Sequence, residues 1–136
     1  MTPFGAIAAS AALGFFKSLA LGRHCAVCPP KRASVHSVLL GPAQEELIYR
    51  ASLLHLAGTK KLPVGFTAIP FAVDHILPEV SAGASLGRVL FRGLEVALGG
   101  YLYESAYREG GYFAAVAAHA AHNFMAAKGF NAGLNR

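Results

Sequence analysis

Residues 111–129 read GYFAAVAAHAAHNFMAAKG, and no formal charge occurs from Gly110 through Ala127, a run of 18 residues at the threshold length for a membrane-crossing helix. Alanine dominates and β-branched alternation is absent, so the run predicts a helix, not a strand. Upstream, Arg108-Glu109-Gly110-Gly111 reads as a loop, and 84–107 contains LGRVLFRGLEVALGGYLYESAY, whose Gly99-Gly100 pair suits close helix packing. Segment 62–77 is apolar with Pro63, Pro70 and a following Pro78, which predicts a short or kinked helix. Segment 35–57 is helical in composition; Pro42 predicts a kink or a late start, and Gly58 predicts a C-terminal cap. Segment 3–21 is an Ala-rich helix broken only by Lys17.

The chain is therefore expected to be all-α, a single membrane bundle of four to five helices over residues 1–136. Its composition agrees: 54% of the 136 residues are hydrophobic and only 14% charged, whereas soluble domains carry about 25% charged residues. Five spans of about 20 residues would use about 100 residues. The net charge of +5 is spread over short doublets, Lys31-Arg32 and Lys60-Lys61, with no basic stripe interleaved with aromatics, which argues against a nucleic-acid partner. Two cysteines, Cys25 and Cys28, are too few for a disulfide scaffold, and the HCxxC cluster with His24 lacks the second ligand pair of a zinc knuckle; reduced loop thiols are expected. Lys17 follows the first apolar stretch where a signal peptide would place its charge before it. If all five segments span, the basic loops put the C-terminus in the cytoplasm.

Charges inside the candidate spans then become the clue. Lys17, Glu45, Glu46, Arg50, Asp74, Arg92, Glu95 and Glu104 all fall there. Each costs about 2.5–3.5 kcal/mol at a span's centre, so such residues tend to face the bundle interior and carry function. In GPAQEELIYR, Glu46 and Arg50 are four apart on one helix face, with Glu45 a step around; alone, this reads as an exposed ion pair. In PFAVDHI, Phe71 and His75 are four apart, and alone His75 reads as a core histidine. In AAHAAHNFM, His119 and Asn123 are four apart with His122 between them, and two histidines and an asparagine on a charge-free helix are hard to explain as packing.

Taken in order, Glu45-Glu46-Leu47-Ile48-Tyr49-Arg50, Phe71 through His75, and His119 through Asn123 resemble the EExxxR, FxxxH and HxxxN motifs of the CAAX protease and bacteriocin-processing (CPBP, or Abi) intramembrane proteases. The resemblance runs over about residues 38–127, and GLEVALGGYLYESAYREGGYFAAVAAHAAHN is similar to the family's stretch before its last motif. Tyr49 stands where phenylalanine is common, and Ala51 where glycine often follows the arginine. Family members generally carry further membrane helices around a four-helix core, whereas one candidate helix precedes the first motif here.

The resemblance implies a multi-pass membrane endopeptidase, metalloprotease-like in chemistry, that hydrolyses a peptide bond of a peptide or protein substrate within the bilayer. It implies Glu45 as general base on a water, Glu46 able to share that role, His75 positioning the water, and His119 and Asn123 donating to the oxyanion. Arg50 and Phe71 would support the site. Zinc on Glu45, His75 and His119 is the implied alternative to a metal-free water. Two competing readings stay open: a non-catalytic membrane protein of the same fold acting as an immunity or scaffolding factor, and a soluble bundle whose polar residues lie on its surface.

Overall fold

The computed structural model describes residues 1–22, 33–58 and 62–134, and every element among them is helical. Helix α1 spans Pro3–Gly22, and α2 is a continuous helical run over 36–57. Helix α3 spans Ala68–Ser81, and α4 spans Leu86–Leu134. Cys25, Cys28 and His24 lie outside the described residues, as do Lys31-Arg32 and Lys60-Lys61.

Pro42 lies within the helical run, which is already under way at His36, rather than at its start. The turn before it, His36–Leu40, is a wide π-type turn in which the Gly41 N–H reaches back five residues to the His36 carbonyl. That extra residue gives room for a ring that would otherwise meet the preceding turn. A second π-type stretch, Leu47–Ser52, follows Glu46 and carries Arg50. As expected, α2 stops at Gly58, whose φ of 76° is left-handed.

Helix α3 runs farther than the prolines predict. Pro70 sits in the first turn, where its missing N–H costs nothing, and Pro78 sits in the last turn, so only one helical bond is forgone before Ser81. The first turn is capped from outside. Thr67, at the N-cap, gives both its N–H and its hydroxyl to the Glu104 carboxylate, at 2.9 and 2.7 Å, and Arg108 holds the other Glu104 oxygen at 2.7 Å.

The expected loop at 108–111 contracts to one residue. Gly111, at φ 73° and ψ −168°, adopts a backbone essentially confined to glycine and breaks α4 into two arms. The arms fold back on each other: in a straight helix Tyr103 and His119 would stand about 24 Å apart, whereas their rings stack at 4.3 Å. Against this hairpin pack α1, α2 and α3. Helix α1 is seated on both arms, and α2 runs against the second, with Tyr112 donating to the Ala43 carbonyl and Asn123 to the Ser37 carbonyl.

The core joins small apolar residues to charges. Ala6, Phe71, Ala72, Val96, Tyr103, Ala106 and Ala118 form the buried cluster, while Glu46, Arg50 and Glu104 are 0% exposed. Large apolar side chains point outward instead, among them Phe4, Leu56, Ile69, Leu86, Leu90 and Phe113. Among the described residues no helix is long and apolar enough to cross a membrane, so the five expected spans are not found there. Four of the charges on these helices, Glu46, Arg50, Glu95 and Glu104, are turned inward.

Candidate active site

Glu46 and Arg50 pair at 3.1 Å with both side chains fully buried, not on the surface as the isolated motif suggests. Arg50 also donates to the Gly100 carbonyl at 3.0 Å, and its guanidinium lies 4.5 Å from the Phe71 ring centroid and 5.5 Å from that of Tyr103. Gly100 makes this possible, because a Cβ there would come within 3.2 Å of Arg50 Nη2 and 3.1 Å of the Ala68 backbone. The helix-packing role expected for the glycine pair is thus a site-building role as well.

The same Glu46 oxygen, Oε1, also meets His119 Nδ1 at 2.9 Å, while Oε2 is buried without a hydrogen-bond partner. Tyr103 stacks on the His119 ring at an interplanar angle of 11°, and Phe71 meets it edge-on at 5.7 Å. His75, one turn after Phe71, places Nδ1 2.8 Å from the Phe71 carbonyl. A carbonyl only accepts, and a carboxylate already holding Arg50 accepts too, so Nδ1 carries the proton in both histidines. In its neutral form each ring then offers a lone pair at Nε2.

Both of those nitrogens face Glu45. Its Oε2 lies 3.6 Å from His75 Nε2 and 3.7 Å from His119 Nε2, and that oxygen is buried without a hydrogen-bond partner. Three acceptors thus surround one small space, and its natural occupant is a donor or a cation. A water molecule donates to two of the three at once, and two imidazole nitrogens with a carboxylate oxygen are also ligands that zinc accepts. Among the described residues no three His, Cys, Asp or Glu side chains converge closely enough to hold a metal ion as they stand.

The space opens on a cleft of about 660 Å³ lined by Glu45, Ile48, Tyr49, His75, Arg88 and Arg92, among others. Asp74, adjacent to His75, also lines the cleft and accepts from the Tyr49 hydroxyl there. A substrate can therefore reach Glu45 from outside while Glu46 stays sealed behind it.

The chain matches the type II CAAX prenyl endopeptidase Rce1-like family over residues 32–125, more than half its length. It belongs to that family. No curated protein and no solved structure matches the chain. Membership in the Rce1-like family makes the chain a CAAX-type endopeptidase by kind, with a peptide or protein as substrate. The matched residues take in α2, α3 and the site on α4, and they leave out α1.

The structure thus gathers Glu45, Glu46, Arg50, Phe71, His75 and His119. Asn123 is placed differently. One turn beyond His119, its amide donates to the Ser37 carbonyl at 2.9 Å, tying the second arm to the start of α2. Sequence reasoning missed Tyr103 and gave Gly100 a packing role only. Their only signal was position: a small residue and an aromatic three apart on the helix preceding the last motif.

Proposed function

We propose that the chain is a membrane-embedded endopeptidase in which Glu45 activates a water held between His75 and His119. The observation that carries this reading is the orphaned, buried Glu45 Oε2 facing two Nε2 atoms whose rings are fixed from behind. Glu45 takes a proton from the water as the oxygen attacks the substrate carbonyl, and returns it to the departing amine. His75 orients the water. For His119, backed by Glu46, to offset negative charge as the tetrahedral intermediate forms, Nε2 must carry a proton as well as Nδ1. Arg50 and His119 hold Glu46 in place away from the cleft, which leaves Glu45, on the cleft wall, as the base of the pair.

Zinc held by Glu45, His75 and His119 would supply a polarised water at the same place, and metal analysis of the purified chain tests for it. Asn123 is proposed to act mainly on α2 rather than on the oxyanion. The interior charges and outward apolar side chains support a multi-pass arrangement in lipid, since a bilayer reverses the usual pressure on charged side chains.

The test is cleavage of a quenched fluorogenic peptide carrying a prenylated cysteine, by the full chain in detergent. Glu45→Gln should reduce cleavage by about 10²–10⁴-fold and leave the unfolding midpoint unchanged. Cleavage at the wild-type rate would remove Glu45 from the reaction. A wild-type chain that binds the peptide without cutting it would favour the scaffolding alternative.

A further inference from the structure

A second polar cluster lies behind the site, and none of the three motifs accounts for it. Glu95, on the first arm of α4, is 5% exposed, and basic groups from three segments converge on its carboxylate. Lys17 of α1 reaches Oε1 at 3.1 Å, His122 Nε2 approaches the same oxygen at 2.9 Å, and Arg92, on the cleft wall, holds Oε2.

The backbone joins α1 to the same point. A Cβ on Gly14 would stand 2.1 Å from the His122 carbonyl oxygen, so α1 is seated directly on the turn that follows His119. The contact continues inward: the His122 ring meets Tyr103 edge-on at 6.1 Å, and Tyr103 lies flat on the His119 ring. His119 is therefore held on one edge by Glu46 and on one face by an aromatic that leans on the Glu95 cluster. Helix α1 lies outside residues 32–125, the part of the chain that the family match covers.

We propose that Lys17 and Glu95 are positioning residues for His119, through which α1 sets the angle at which His119 presents Nε2 to Glu45. This rests on the reading of the site as a protease. The physical reason is that Glu95 is buried and shares one oxygen between Lys17 and His122. Removing the ammonium leaves the carboxylate to settle toward Arg92, and His122, Tyr103 and His119 then lose their common reference. Displacements of this kind, about 1 Å, can cost up to about a hundredfold in rate without touching substrate binding.

The test uses the full chain in detergent as Lys17→Met, Lys17→Arg and Glu95→Gln variants, with two readouts. One is kcat and KM on the prenylated peptide. The other is the His119 imidazole resonances, assigned against His119→Gln, which need no activity. Lys17→Met and Glu95→Gln should each lower kcat about tenfold or more at unchanged KM and move the His119 resonances; Lys17→Arg should restore both. Unmoved resonances in folded Lys17→Met and Glu95→Gln overturn the proposal, as does a loss that appears only in KM. Should Lys17→Met not fold, Glu95→Gln, nearly isosteric, decides alone. A wild-type chain without cleavage defeats the protease reading instead, and the resonances still report whether α1 positions His119.

Discussion

At the scale of single residues, the site is built on one buried ion pair. Arg50 and Glu46 are both fully enclosed, and Arg50 also meets a carbonyl and three aromatic rings, those of Tyr49, Phe71 and Tyr103. Removing one partner leaves the other charge buried and unpaired, so Arg50→Ala should cost about 3–5 kcal/mol; a thermal melt in detergent measures it. Lysine cannot reproduce the fork that reaches Glu46 and Gly100 together, so Arg50→Lys should recover only part of that loss. Asn123 and His119 separate by the same logic. The Asn123 amide is engaged with Ser37, whereas His119 faces Glu45, so His119→Ala should abolish cleavage and Asn123→Ala should retain most of it. Equal losses in the two variants would return Asn123 to the oxyanion. The resemblance to the three family motifs made Glu45, Glu46, Arg50, Phe71, His75 and His119 legible, whereas spacing alone read Glu46 and Arg50 as a surface pair and His75 as a core histidine. What the spacing hid is which of two adjacent glutamates faces the cleft, since that depends on where the helix is rotated.

At the scale of elements, three contacts set the geometry, and two of them use glycine. Gly14 lets α1 approach the His122 carbonyl, and a methyl there must push two backbones apart; Gly14→Ala should destabilise by about 1–3 kcal/mol. Gly111 turns α4 back on itself in a conformation that a Cβ strains, so Gly111→Ala should lower the melting temperature and loosen the stacking of Tyr103 on His119, read in the same imidazole resonances. The third is the capping of α3 by Glu104 on another helix, which fixes the turn leading to Phe71 and His75. Helix existence and most boundaries followed from composition and from Gly58. The errors came at prolines: Pro42 and Pro78 were expected to interrupt helices, and a π-type turn and a last-turn position absorbed them. Those outcomes depend on local hydrogen-bond register, which composition does not specify.

At the scale of the whole molecule, several charges are buried and several large apolar side chains are exposed. Glu46, Arg50, Glu95 and Glu104 are interior, while Phe4, Leu56 and Phe113 are each more than four-fifths exposed. Such a surface should bind detergent or lipid: the purified chain should precipitate on detergent removal and stay dispersed in lipid vesicles, which sedimentation with and without vesicles reports. A monodisperse chain in plain buffer would oppose the membrane reading. By itself the sequence determined the helical class, through alanine-rich apolar runs without alternation, and the family, through three short motifs in order. Only the tertiary structure decided that α4 is a hairpin, that Glu46 is sealed while Glu45 faces the cleft, and that Lys17 and Glu95 stand behind His119. The reason is physical: helix periodicity assigns residues to one face of one helix, whereas the rotation and contact of that face against others come from packing between segments far apart in the chain.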